Sequence, residues 1–208
     1  MGSGGVLLGA LLVVIGYGLG CLSAGYYLVR LRTGGDVRAG GSGGLGATNV
    51  GRVLGRRGFV LVFLMDLAKG ALATALAVWA GVGEVGIALT ALAVTAGHVW
   101  PAQLGFRGGR GVATAWGAAL VVMPWVALSA LGVAIVVWVG LRRVTRSGLV
   151  GIAACPVLSA AFGRTMVETL GIAALAAVVL VAHRDHLRAW VGQPAVARPA
   201  AQVRGGRS

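Results

Sequence analysis

The sequence predicts an all-α polytopic membrane protein of about seven transmembrane helices, several of them short, with the N-terminus outside and the C-terminus cytoplasmic. Three observations predict it. Of 208 residues, 58% are hydrophobic and only 11% charged, where a soluble domain carries about 25% charged residues. Apolar runs recur at 6–29, 58–81, 85–104, 112–123, 125–141, 148–163 and 168–182. Finally, arginine is concentrated in every second gap between them, Arg164 excepted, as the positive-inside rule expects of cytoplasmic loops.

Taken in order, run 6–29 reads as a span rather than a cleaved leader, because no basic residue precedes it. Run 58–81 carries Asp66 and Lys69 at i, i+3, which places them on one helix face. Ionisable residues inside a span face the bundle interior, so the two are expected as a structural intramembrane pair. Run 85–104 contains His98 before Trp100-Pro101 near its inner end. Runs 112–123 and 125–141 are divided only by Met123-Pro124, and both fall short of the roughly 20 residues of a perpendicular span. Two short spans with Pro124 in an outer turn keep Arg142, Arg143 and Arg146 inside; one merged span would put them outside. Run 168–182 is followed by His183 and His186.

With this threading, 16 of the 18 lysines and arginines lie on the cytoplasmic side, Arg164 lies outside and Lys69 lies within a span. Trp79 and Trp125 fall near the outer surface, Trp100 and Trp138 near the inner one, as interfacial belts do. Residues 1–192 read as a single membrane domain, and 193–208, rich in Ala, Pro, Gly and Arg, as a disordered basic cytoplasmic tail. The net charge of +13 fits topology and contact with anionic membrane lipid, so no nucleic-acid partner is expected. Cys21 and Cys155 both sit in apolar segments and form neither a disulfide framework nor a metal pattern. His183 and His186 lack the further ligands that zinc needs. No metal and no cofactor are therefore expected.

Two glycine-basic segments interrupt this apolar chain: Gly40-Gly41-Ser42-Gly43-Gly44-Leu45-Gly46-Ala47-Thr48-Asn49 and Phe106-Arg107-Gly108-Gly109-Arg110-Gly111-Val112-Ala113-Thr114. Successive amides in a glycine turn converge on an oxyanion, and a nearby arginine supplies charge. Gly41-x-Gly43-x-x-Gly46 matches the dinucleotide fingerprint formally, but the βαβ unit it needs is absent. Both segments, the Arg142–Ser147 loop and the C-terminal histidines are expected on one membrane face. A phosphate-handling site at that face follows.

Residues Asp36-x-Arg38, then Gly41-Ser42-Gly43-Gly44-Leu45-Gly46-Ala47-Thr48-Asn49-x-x-Arg52, resemble the first motif of the bacterial acyl-phosphate:glycerol-3-phosphate acyltransferases, the PlsY family. Asp66-x-x-Lys69-Gly70, Gly97-His98-x-x-Pro101 and Phe106-x-Gly108-Gly109-Arg110-Gly111-Val112-Ala113-Thr114 resemble its second block in order and spacing. Arg142-x-Val144-x-x-Ser147 resembles its serine-bearing loop, and His183-x-x-His186-Leu187 the start of its last motif. The similarity runs over roughly residues 10–192.

The resemblance implies seven spans and transfer of a fatty acyl group from acyl phosphate to the 1-hydroxyl of glycerol 3-phosphate. The products are lysophosphatidic acid and phosphate. Acyl phosphate is already activated, so the protein needs chiefly to hold two phosphates, orient the hydroxyl and stabilise charge on the leaving group. Ser42, Arg110 and His183 are then the catalytic candidates. Gly43, Gly46, Thr48, Asn49, Arg52, His98, Gly108, Gly109, Arg142, Ser147 and His186 are the substrate-binding candidates. The Ser42 and Gly43–Gly46 amides are expected to cradle one phosphate, with Arg52 and Arg110 neutralising charge.

The chain departs from the family pattern at several places. Gly44-Leu45 replaces Asn-Pro, Arg110 replaces the lysine of GGKG, His186 replaces asparagine, Ala189 stands in an arginine slot, and the terminal glutamate is missing. These departures motivate a second reading, a non-catalytic relative that binds anionic lipid or glycerol phosphate; the Asp66–Lys69 pair and several short spans allow a third, a small-solute transporter.

Overall fold

The structure, a computed structural model, describes residues 3–190 and 192; the tail expected to be disordered lies outside them. Among the described residues there are nine α-helices and no strand. These are α1 (Ser3–Cys21), α2 (Ala24–Thr33), α3 (Ala47–Trp79), α4 (Gly83–Val99), α5 (Val112–Val122), α6 (Pro124–Leu141), α7 (Val144–Ala161), α8 (Met166–Ala182) and α9 (Arg184–Trp190). Single 3-10 turns occupy Val37–Ala39 and Ala102–Leu104.

All seven apolar runs are helical, with four changes of boundary. The first run breaks at Leu22-Ser23 into α1 and α2. The second helix begins eleven residues earlier than the apolar run, at Ala47, so Thr48, Asn49 and Arg52 stand on helix and not in a loop. Gly55, at φ 70° and ψ −167°, breaks that early segment from the span proper, a conformation open to glycine alone. The third helix stops at Val99, and α7 starts at Val144, which puts Ser147 in its first turn. Met123 separates α5 from α6, and Pro124 opens α6 at the position where a missing N–H costs nothing.

Five segments are long and apolar enough to cross a membrane: Ser3–Thr33, Ala47–Trp79, Gly83–Leu104, Pro124–Leu141 and Val144–Ala161. Helices α5 and α8 are shorter. At 1.5 Å per residue, α5 reaches only about 17 Å, and its N-cap Gly111 packs inside the bundle against Thr95, Val99 and Val179. Leucines and valines such as Leu7, Val14, Leu64, Val136 and Leu170 point outward, as expected when the solvent is lipid.

Glycines bring the helix axes together, because in lipid close van der Waals packing replaces the hydrophobic drive. On α1 and α4, Gly20 lies against the Val94 carbonyl and Gly97 against the Tyr17 carbonyl. On α3 and α5, Gly70 lies against the Thr114 carbonyl and Gly117 against the Leu67 carbonyl. A Cβ at any of these four would overlap backbone. Gly70→Ala is therefore expected to destabilise the protein by about 1–3 kcal/mol, read as a lower melting temperature in detergent. Gly132→Ala on α6, with open space around it, is expected to melt as wild type.

The main core lies between α5, α6, α7 and α8, around Ala118, Val126, Ala127, Leu149, Leu175 and Val179. A second cluster, Val29, Val37, Leu45, Val50 and Val62, sits beneath the first glycine segment. Leu45, 2% exposed, thus anchors that loop from its middle.

Candidate active site

The first glycine segment folds around one side chain. Asn49 is 2% exposed, and its Nδ2 donates to the carbonyls of Val37 (2.8 Å), Gly40 (3.1 Å) and Gly44 (3.0 Å). Its Oδ1 accepts from the Ser42 amide at 3.0 Å and from Arg52 Nη1 at 3.3 Å. Gly41, at φ 61°, passes so close that a Cβ would overlap Asn49 Oδ1. Asp36 and Arg38 brace the loop's entry: the guanidinium forks the carboxylate at 2.7–3.1 Å, and Arg38 Nη1 donates to the Leu104 carbonyl at 3.0 Å. Hydrogen bonding from Arg38 holds the Asp36 carboxyl below its ordinary range.

The expected phosphate cradle shifts as a result. The Ser42 amide is held by Asn49, and the Gly43 amide donates to the Gly40 carbonyl at 3.2 Å. Neither amide points at a ligand. The Gly44 and Gly46 amides take no partner among the described residues, and Gly46 caps the N-terminus of α3. Together with the first-turn amides of Ala47 and Thr48, they form a helix N-terminus open to an anion. Thr48 is exposed there, while Ser42 is half-buried and its hydroxyl takes no partner among the described residues. Asn49 shapes this loop from within and offers no atom to a substrate.

The second glycine segment hangs from the end of α4. The Gly108 amide donates to the Val99 carbonyl and the Gly109 amide to the His98 carbonyl, both at 3.0 Å. These two amides, expected to bind substrate, are thereby engaged. What they achieve is placement: Gly111 caps α5 at φ 78°, and Arg110 is carried at the mouth of that short helix. His98 is 5% exposed and lies within the bundle, which removes it from the substrate-binding candidates. Its Nδ1 is 2.8 Å from Lys69 Nζ and 3.3 Å from Asp66 Oδ1, so the expected pair, itself closed at 3.0 Å, is a triad.

Arg110 Nη1 lies 3.0 Å from His186 Nε2. A guanidinium only donates, so Nε2 accepts and the His186 proton sits on Nδ1. Burial, then the charge of Arg110, lowers the His186 pKa; Arg52 acts in the same direction, and Asp185 opposes them. The His183 and His186 rings stand edge to face at 5.9 Å. His183 is buried, its Nδ1–H donates to the Val179 carbonyl at 2.8 Å, and its Nε2 therefore carries a lone pair. Burial pushes its pKa down to about 4, with Arg110 and His186 adding to the shift. A neutral imidazole within reach of the Arg110 charge results.

Ser42, Asn49, Arg52, His186 and Arg110 thus form one continuous chain of contacts and charge from the first glycine segment to the second. Arg142 and Ser147 do not join it through any described contact. Arg142 stacks over Trp138 at 5.5 Å, and the buried Ser147 hydroxyl donates to the Arg143 carbonyl at 3.0 Å. Their neighbour Arg146 reaches α9 instead, its guanidinium lying 5.3 Å from the Trp190 ring. Sequence reasoning missed Arg146 and the Arg38–Leu104 bond, which no local spacing announces. The third member of the Asp66–Lys69 group was open to inference, because an ammonium has three protons to place. No cluster of His, Cys, Asp or Glu able to hold a metal occurs among the described residues. An apolar pocket between α4, α5 and α8 has Glu84 and Glu168 in its lining, near the N-terminal ends of α4 and α8, and Arg110 does not line it.

Comparison with known proteins places this geometry. The glycerol-3-phosphate acyltransferase family matches residues 10–192. The chain is 47% identical over 179 residues to glycerol-3-phosphate acyltransferase 1 of Desulfitobacterium hafniense, covering 86% of this chain and 89% of that protein. It is 41% identical over 179 residues to the glycerol-3-phosphate acyltransferase of Myxococcus xanthus, covering 85% and 92%. Among solved structures it resembles PlsY, an integral membrane glycerol 3-phosphate acyltransferase. The glycerol 3-phosphate form matches with a TM-score of 0.83 and 31% identity, over 91% of this chain and 96% of that one. The lysophosphatidic acid form matches with a TM-score of 0.81 and 32% identity, over 89% and 93%.

Proposed function

The chain belongs to the glycerol-3-phosphate acyltransferase family and is a multi-pass membrane enzyme that acylates glycerol 3-phosphate in phospholipid synthesis; we propose that the acyl donor is acyl phosphate and that the reaction runs at the Arg52, Arg110, His183 and His186 cluster, on the cytoplasmic face. The observation that carries the site is the Arg110–His186 contact, with His183 packed beside it. Relatives and solved neighbours that are glycerol-3-phosphate acyltransferases over most of their length favour neither a binding-only relative nor a transporter.

The residues suit a substitution at an activated carbonyl. The 1-hydroxyl oxygen of glycerol 3-phosphate attacks the acyl carbon, the carbon–oxygen bond to phosphate breaks, and phosphate leaves with the electron pair. The hydroxyl proton passes to a phosphoryl oxygen, with His183 Nε2 as the alternative acceptor. Arg110 and Arg52 oppose the phosphate charges, and the α3 N-terminus from Gly44 to Thr48 supplies amides to one of them. Thr48 and the Ser42 hydroxyl complete that cradle.

The test is purified protein with acyl phosphate and labelled glycerol 3-phosphate. Lysophosphatidic acid and phosphate are expected in equal amounts, and none with acyl-CoA as donor; absence of phosphate release would sink the proposal. A pH prediction follows from His183. Its proton acceptor is present above about 4 and lost as pH falls through that value. The ratio of kcat for wild type to kcat for His183→Gln, in which substrate ionisation cancels, is expected to stay level from neutral pH down to about 5 and to fall toward 4. An inflection near 6.5, the ordinary histidine value, would contradict a buried neutral His183.

A further inference from the structure

The Asp66–Lys69–His98 triad takes no part in the chemistry above, yet it joins three segments that bound the site. Lys69 is 8% exposed, and its three protons are all placed: on the Gly20 carbonyl at 3.1 Å, the Leu22 carbonyl at 3.0 Å and His98 Nδ1 at 2.8 Å. The two carbonyls belong to the break between α1 and α2, and that of Leu22 also accepts the Ala24 amide at 3.1 Å. Asp66 Oδ1, 3.0 Å from the ammonium, balances its charge. A buried ion pair adds little stability over apolar residues of the same volume, so neutralisation alone gives no reason for an imidazole in the group.

What the imidazole touches supplies the reason. The His98 ring, held at Nδ1 by Lys69, presents Nε2 to Gly109, where a Cβ would overlap it. Its carbonyl binds the Gly109 amide from the same side at 3.0 Å. Arg110 is the next residue. We propose that the triad is a pedestal for the Arg110 segment: Lys69, fixed by the α1–α2 break, orients His98, and His98 carries Gly109 and so sets where Arg110 reaches. Asp66, Lys69 and His98 are positioning residues. The inference rests on the reading of Arg110 as a substrate contact.

The test uses the full chain in detergent, with two readouts: kcat and KM for glycerol 3-phosphate, and the rate of tryptic cleavage after the exposed Arg107. The double variant Asp66→Asn/Lys69→Met removes both charges at near-constant volume and strands neither. It also removes the bonds that Lys69 gives the Gly20 and Leu22 carbonyls, so it is expected to melt below wild type yet stay folded, to lose about 10- to 100-fold in kcat, the cost of a small misplacement of a reacting group, and to be cut faster at Arg107. Wild-type kinetics and cleavage in that folded variant would overturn the proposal. A second pair holds if the first does not fold. Gly109→Ala is expected to lose turnover through collision with the ring, and His98→Ala/Gly109→Ala to recover part of it, because the new methyl fills the vacated space. Strictly additive losses would overturn the pedestal. The cleavage readout needs no turnover, so it separates failure of this inference from failure of the acyltransferase reading, in which wild type itself makes no product.

Discussion

Arg110→Ala is expected to lower kcat about 10²- to 10³-fold, the usual loss when a preorganised charge donor is removed from a developing anion, with the protein still folded. Arg110 is half-buried at the mouth of α5 and lies outside the apolar clusters, so its truncation leaves the core intact. The size-exclusion profile and melting temperature in detergent check the second half of the expectation. A wild-type rate in Arg110→Ala would remove the residue from the site.

The structure also explains two departures from the family pattern as one. Arg110 stands where the family carries lysine and His186 where it carries asparagine, and the two are in contact at 3.0 Å. A guanidinium reaches with a planar fork and an ammonium as a point charge, so each needs its own partner. Arg110→Lys and His186→Asn are each expected to cost activity, and the double variant to exceed either single. Additive losses would show that the two positions changed independently.

Asn49→Ala is the second large effect. The substitution strips the partner from the Ser42 amide and from the Val37, Gly40 and Gly44 carbonyls. Each buried group left unmet costs about 1–3 kcal/mol, and water reaches some of them once the loop loosens. A loss of about 3–5 kcal/mol in stability is expected, together with near-complete loss of turnover. Asn49→Asp preserves the volume and the acceptor for Ser42 but faces three carbonyls with an anion, so it is expected to do no better. Thermal melting in detergent and the turnover assay read both variants. An Asn49→Ala protein that melts and turns over as wild type would contradict the role given to this side chain.

Much of the architecture was legible because membrane helices announce themselves through hydropathy alone, and all seven apolar runs are helical. The boundaries that failed share a cause. Residues 47–57 are polar and glycine-rich, and read as loop, yet they continue α3 because Asn49 is fastened from the helix back to the preceding turn. The break at Leu22-Ser23 is invisible in an unbroken apolar run, since Lys69, 47 residues on, donates to the Leu22 carbonyl there. In the site, the residue types were legible and their partners were not. Gly43, Gly108 and Gly109 looked like phosphate-binding amides, but their N–H groups turn to carbonyls in the loop and at the end of α4. His98 looked like a surface ligand because nothing in its own neighbourhood shows that α3 brings Lys69 to it. Pairing across tens of residues is a property of packing, and spacing carries no trace of it.

The most direct measurement is the structure of the protein with glycerol 3-phosphate bound. Its phosphate is expected within hydrogen-bonding distance of Arg110 or of Arg52 and the Gly44–Thr48 amides, with the 1-hydroxyl turned toward His183. A phosphate held instead by Arg142, Arg143 and Arg146, with Arg110 still closed on His186, would contradict the site.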